Sequence, residues 1–368
     1  MALRAALSRP ASAAIVTLPF APLVPPVIEV PLPMPLSVDA ACVPLRVHYV
    51  AAEPAQLLPA PGTLAAIGFG AAAAVAVADD PRWLRLPLQP LGVDAVVEVW
   101  QIDATVEHGR VGSLRYAAGG GWLFGAIELD EAAQGGLEQA AETAYRALAA
   151  FHASRAERHV LRVWNYFGAI NHGAGDDERY KRFCAGRARG MSAGFAGGYP
   201  AATAIGVQGA PQRLQIYWLA AAIAGTRVEN PRQTSAWRYP RHYGPSPPTF
   251  ARGMRLPGGA GLAISGTAAI VGHASQSAGD LDAQLAETFA NLGALLAAAG
   301  VDGGFDACSP LKVYLRDPAQ AARVAALLDA HLPAAVPRLL LAGDVCRAEL
   351  AVEIDGWRLM PGQQPMPG

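Results

Sequence analysis

Between Gly225 and Gly253 the chain crowds arginine and aromatic side chains together, in Asn230-Pro-Arg-Gln233, Trp237-Arg-Tyr-Pro240, Arg241-His-Tyr-Gly-Pro245 and Phe250-Ala-Arg252. A guanidinium grips a carboxylate through parallel N–H donors and a tyrosine adds a neutral donor, so the stretch suits a small organic dianion. The same composition also suits a loop packed by its own rings, with its charges in water. A second candidate lies near the C-terminus. In Leu350-Ala-Val-Glu-Ile-Asp355 the alternation of a strand sets Val352 and Ile354 on one face, Glu353 and Asp355 on the other. Beside an apolar pocket Glu353 would keep its proton near neutral pH and act as a general acid; on an exposed face it would be an ordinary surface carboxylate.

Other chemistries find little support. Gly119 to Gly121 and Gly258-Gly259 lack the spacing and the strand-to-helix setting of a nucleotide loop, and His152 and His159 stand at no metal-ligand spacing. Neither a cofactor nor a metal is expected. Lys plus Arg (29) nearly cancel Asp plus Glu (30), leaving a net charge of −1, so no global field draws in nucleic acid. Cys42, Cys184, Cys308 and Cys346 lie far apart without CxxC spacing, which reads as reduced thiols in a cytoplasmic protein. No apolar run approaches the roughly 20 residues of a membrane span; Ala71 to Ala78, for one, closes at Asp79-Asp80-Pro81. Arg4 and Arg9 ahead of an apolar stretch imitate a signal peptide, but Pro10, Pro19 and Pro22 interrupt it.

The elements that must position these groups form a repeat. Residues 1–40, rich in Pro and Ala, read as an extended arm. Beyond it, a strand over Trp122–Leu129 precedes a helix with Leu137, Ala141, Tyr145, Leu148 and Phe151 on one face, then a strand from His159 to Phe167. A strand over Leu262–Gly272, a helix carrying Leu281, Leu285, Phe289, Leu292 and Leu296, and a strand over Leu311–Leu315 repeat that order. Each half ends in an alternating strand, Leu214–Leu219 and Leu350–Asp355. The spacing predicts an α+β protein of two such units, over 41–222 and 223–368, with mixed sheets and helices on one face. The linker 225–253 joins them and is too long for a mere connector.

Several motifs in order point to a family: Arg162-Val-Trp-Asn-Tyr166, Glu178-Arg-Tyr-Lys-Arg-Phe-Cys-Ala-Gly-Arg187, Pro200-Ala-Ala-Thr-Ala-Ile-Gly206, Asn230-Pro-Arg-Gln233, Tyr243-Gly-Pro245, Ser265-Gly-Thr-Ala268, Val271-Gly-His273 and Cys346-Arg347 with Val352-Glu353-Ile354. Over Ala66 to Trp357 the chain resembles the chorismatases, above all the 3-hydroxybenzoate synthases of the xanthomonadin pathway. The resemblance implies an enzyme that takes chorismate to 3-hydroxybenzoate and pyruvate without a cofactor, with 4-hydroxybenzoate a further product of some relatives. It implies Glu353 as catalytic acid and Tyr180, Arg187, Tyr239 and Arg252 as substrate-binding positions, with Ala268 and Arg316 as further candidates. Cys346 matches a cysteine of the members that form the aromatic acid, a nucleophile or proton relay in ring opening; hydrolysing members, which give a dihydroxycyclohexadiene acid, carry a small residue there. The C-terminal half is also similar to a YjgF/RidA (chorismate-mutase-like) unit, in which Arg338 and Glu353 would line one cleft, the first half being a degenerate copy. A hydrolysing chorismatase, a non-catalytic binder of small acids and a RidA-like deaminase remain as alternatives, and the oligomeric state is open.

Overall fold

The computed structural model describes residues 42–70, 79–191, 194–195, 197–208 and 212–360, and the expected arm over 1–40 and the run Ala71–Ala78 lie outside them. Strands β1 (Leu45–Val50), β2 (Thr63–Gly70), β3 (Trp83–Leu86) and β4 (Ala95–Ile102), with the short helix α1 (Pro54–Leu57), make a first sheet in the order β1-β4-β2-β3. No alternation marks β2 in the sequence, because Leu64, Ala65, Ala66 and Ile67 are all buried and both faces of the strand are covered.

A second sheet contains β5 (Glu107–Val111), β6 (Leu114–Gly119), β7 (Trp122–Asp130), β8 (His159–Gly168), β9 (Ala201–Val207) and β10 (Arg213–Ala221), with helices α2 (Leu137–Ala153) and α3 (Arg179–Met191). The third contains β11 (Thr226–Val228), β12 (Gly253–Arg255) and β13 (Gly261–Thr267); after the hairpin β14 (Ile270–Val271) and β15 (Ala274–Ser275) come helix α4 (Leu281–Ala298), β16 (Leu311–Leu315), α5 (Ala321–His331), β17 (Arg338–Ala342), β18 (Asp344–Val345) and β19 (Val352–Leu359). The second sheet runs β5-β6-β7-β10-β8-β9, with the short β18 added beyond β9, and the third β11-β12-β13-β19-β16-β17. Each has a parallel pair at its far side, β8 with β9 and β16 with β17, joined through a helix as a parallel crossover requires. The repeat read from the sequence is therefore a repeat of topology, in an α+β fold.

The outer face of each repeated sheet is covered by its helices: Tyr145, Leu148 and Phe183 pack on Val163, Phe167 and Trp218, and Leu285, Leu292 and Leu328 pack on Leu311, Val313 and Ile354. The inner faces meet the first sheet in one core of large rings, among them Trp100, Trp122, Trp164, Tyr217 and Trp357. The boundary expected near residue 222 falls between β10 and β11, yet β18 crosses it to pair with β9, Val345 opposite Ile205.

Two readings need correction. The strand expected over Leu262–Gly272 ends at Thr267, where the chain turns through Ala268-Ala269 into β14. The linker is bounded by strands, β11 pairing with β12 from Thr226 opposite Arg255 to Val228 opposite Gly253; a three-residue strand is too short to leave a period in the sequence. Among the described residues no helix is long and apolar enough to cross a membrane.

Candidate active site

A cavity of about 400 Å³ is lined by α3, β9, the linker, the end of β13, the loop after β18 and β19. Glu353 enters it from β19, opposite Tyr314 of β16 and beside β13. The β13–β19 register slips between Ile264 and Thr267. Such a bulge re-aims side chains locally, and here it sets Gly266 so close that a Cβ would overlap Glu353 Oε1. Ser265 pins the bulge, its Oγ donating to Ala251 O at 2.6 Å and accepting from Ala202 N at 2.9 Å. Glu353 is 5% exposed. Burial, then the charge of Asp355, push its pKa up from 4.5 to about 8, against the pull of Arg162, Arg252 and Arg316. At neutral pH it is a carboxylic acid.

Opposite this acid the site is cationic. Arg187 is 3% exposed, its guanidinium carbon lies 5.0 Å from the centre of the Tyr145 ring, and its Nε and Nη2 have no hydrogen-bond partner among the described residues. Tyr145 is fixed in turn, its Oη donating to Asn165 Oδ1 at 2.7 Å while Asn165 Nδ2 donates to Thr203 O at 2.8 Å. The depth of Arg187 follows from glycine: a Cβ on Gly186 or Gly190 would overlap the α2 backbone at Glu138 and Glu142, so α3 lies directly against α2. Arg252, also 3% exposed, donates through Nη2 to Thr234 O at 3.0 Å and Tyr239 Oη at 2.6 Å, and its Nε is unpaired. Having accepted from Arg252, the Tyr239 hydroxyl keeps its own proton to offer. Tyr180 lies against Cys184 and Cys346, and burial raises it well above the ordinary phenol value. Burial, reinforced by Glu353, pushes the Cys346 thiol up to about 12. It is no ready thiolate, and the proton-relay role fits it better than that of nucleophile.

The structure thus brings together Glu353, Cys346, Tyr180, Arg187, Tyr239, Arg252 and Ala268 around one cavity. Arg316 does not line it. Its N–H donors bind Leu350 O, Asn171 Oδ1, Asp344 Oδ1, Val345 O and Arg347 O, which leaves none for a substrate and makes Arg316 the clamp of the loop that carries Cys346. Arg338 is also elsewhere, on β17 opposite Leu311 and paired with Asp329, so it shares no cleft with Glu353. Sequence reasoning missed Arg347, whose guanidinium carbon lies 4.1 Å from the Tyr243 ring centre and 5.3 Å from that of Tyr239 at the cavity wall. The quoted Cys346-Arg347 pair held that signal, but only the folded loop aims it. Thr203 and Gly266 were missed likewise; small residues announce themselves only through what they leave room for.

Fold and site together define an α+β protein whose cavity gathers a buried carboxyl group and guanidiniums. The family described as chorismatase, FkbO/Hyg5-like, N-terminal, matches residues 98–220. The chain is 34% identical over 276 residues to the 3-hydroxybenzoate synthase of Streptomyces hygroscopicus, covering 70% of this chain and 80% of that protein. It is also 34% identical over 277 residues to a chorismatase of Streptomyces hygroscopicus, covering 72% and 79%. A chorismatase crystal structure superposes with a TM-score of 0.73 at 30% identity, covering 86% of this chain and 98% of that one. The chain belongs to the chorismatase family.

Proposed function

We propose that this chain converts chorismate to 3-hydroxybenzoate and pyruvate, with Glu353 as the acid. The observation that carries the reading is that Arg187 and Arg252 are buried with unpaired N–H groups and no ion pair among the described residues, in the same cavity as a carboxyl group that keeps its proton. A buried cation without a partner destabilises the empty protein, and a ligand carboxylate removes that cost. Chorismate fits the inventory: a ring carboxylate, a second carboxylate on the enolpyruvyl ether at C3, and a hydroxyl at C4. The relatives named 3-hydroxybenzoate synthase and chorismatase support the same substrate.

In this reading Arg187 and Arg252, with Tyr239, hold the two carboxylates. Glu353 delivers its proton to the enolpyruvyl methylene, and the oxocarbenium centre that results makes the C3 ether oxygen a leaving group. The C4 hydroxyl, returning a proton to the Glu353 carboxylate, displaces it, the C3–O bond to the side chain breaks, and pyruvate leaves. The C4 oxygen now bridges C3 and C4 as an arene oxide; its C4–O bond opens and a ring proton departs, giving 3-hydroxybenzoate with no net water. Cys346 and Tyr180, neutral groups that line the cavity, relay protons in that opening. General acid catalysis supplies ~10²–10⁴-fold, and orientation with charge complementarity the remainder.

The test is chromatography of the products after mixing protein and chorismate. Equal amounts of pyruvate and 3-hydroxybenzoate are expected. Pyruvate with a dihydroxycyclohexadiene acid would assign the hydrolysing type, and no pyruvate at all would remove the enzymatic reading. In Cys346→Ala chorismate consumption should partly persist while 3-hydroxybenzoate is lost; an unchanged product would refute a role for the thiol.

A further inference from the structure

Asp355 lies two residues beyond Glu353 on the same face of β19, is fully buried, and has no part in the chemistry above. Its Oδ2 accepts from Arg162 Nη2 at 3.1 Å, Trp164 Nε1 at 2.9 Å, Thr203 Oγ1 at 2.7 Å and Tyr314 Oη at 3.1 Å. Lys312 Nζ lies 3.9 Å from Oδ1, which has no hydrogen-bond partner among the described residues. Oδ2 thus closes a fully buried ion pair with Arg162 within a ring of neutral donors. Glu353 has the opposite surroundings, a cavity wall crowded by the bulge at Gly266.

Three guanidiniums act on Glu353 from neighbouring elements, those of Arg162 on β8, Arg252 at the head of β12 and Arg316 beyond β16, and each favours its ionised form. Arg187 of α3 shares the cavity. Cys346, Tyr180 and Tyr314 face it as neutral groups. Cationic walls that bind a dianion would also strip the acid of its proton before the substrate arrives. Among the described residues the charge that opposes them most is that of Asp355, while Glu178 and Glu349 also line the cavity. Where two carboxylates lie together and one is held as an anion, the other keeps its proton.

We propose that Asp355 is a positioning residue for the proton on Glu353: its buried anion offsets the guanidiniums that grip the substrate and keeps the acid loaded within a cationic cavity. The proposal rests on the reading of Glu353 as the acid. Arg162 is the counterweight, because it shares Asp355 Oδ2 and also donates through Nη1 to Val163 O at 2.7 Å. Removing the anion and removing its cation should therefore move Glu353 in opposite directions.

The experiment compares the pH dependence of pyruvate release in Asp355→Asn and Arg162→Gln, with circular dichroism to confirm folding. The alkaline fall in rate should move down by about one pH unit or more in Asp355→Asn and up by a similar amount in Arg162→Gln. A purely structural role would lower the rate at every pH and leave the midpoint in place, or move both midpoints the same way; either result overturns the proposal. If one variant does not fold, the sign of the other decides. Infrared titration of the Glu353 carboxyl band, identified by its loss in Glu353→Gln, reads the same shift without turnover. A wild type that releases no pyruvate defeats the acid reading. A band whose midpoint ignores both substitutions, or a Glu353 already ionised at neutral pH in the wild type, defeats the role of Asp355.

Discussion

At the scale of the residue, the acid role proposed for Glu353 comes from its environment rather than its type. Glu353→Gln keeps the shape and removes the proton, so pyruvate release should fall by ~10²–10⁴-fold with substrate binding largely kept, measurable as a loss in kcat with little change in KM. The same substitution should stabilise the fold. The folded pKa of about 8 lies above the ordinary 4.5, so ionising Glu353 opposes folding; that opposition is absent below pH 4.5, grows through the interval and is complete above pH 8. The gain in urea midpoint from Glu353→Gln should accordingly be larger above pH 8 than below pH 4.5. Arg187→Met should likewise raise the melting temperature of the empty protein, but its loss of function should appear in KM, which rises roughly tenfold or more. Strand alternation in the sequence set Glu353 and Asp355 on one face but left open whether that face was buried, and the motif around Glu353 singled it out only through the resemblance. Arg316 was misplaced because a guanidinium on a strand end reads alike whether it holds a substrate or a loop; the carbonyls of Val345, Arg347 and Leu350 that occupy it are invisible until the loop is folded.

At the scale of the element, the site depends on two close approaches made by glycine. Gly266 opens the bulge in β13 for the Glu353 carboxyl, and Gly186 with Gly190 lets α3 settle on α2 so that Arg187 reaches the cavity. Gly266→Ala should leave a folded protein, destabilised by about 1–3 kcal/mol, with kcat reduced as the acid is pushed aside; crystallography or a kcat and KM comparison checks it, and an unchanged kcat would deny the bulge its role. The repeated helices were legible from their apolar stripes, Leu137 to Phe151 and Leu281 to Leu296, because one face of each meets a sheet and the other meets water. The short strands β11, β12 and β18 were not, since two or three residues carry no period and pair only because distant strands offer them an edge.

At the scale of the molecule, three sheets share a core that holds charge as well as rings. Lys312 Nζ binds Glu98 Oε2 at 2.8 Å and Tyr217 Oη at 3.0 Å, and Trp100 Nε1 donates to Glu98 Oε1 at 2.7 Å, all fully buried. This links the first, second and third sheets through one ion pair. Glu98→Gln would remove the nearer counter-ion of Lys312 and leave it Asp355 at 3.9 Å, and should cost about 3–5 kcal/mol, with much of the loss recovered in the double variant Glu98→Gln, Lys312→Met; urea unfolding reads both. The first sheet escaped sequence reading because its central strand is buried on both faces, and the core network escaped it because its partners are remote in the chain. What unites the scales is a proton held on one carboxyl group opposite unpaired guanidiniums. The most direct test is the rate of pyruvate release from chorismate against pH in the wild type. An acid with a pKa of about 8 predicts a rate that is level below that value and falls about tenfold per unit above it. A rate that climbs through the same interval would mean that the ionised form is the active one, and would contradict the account.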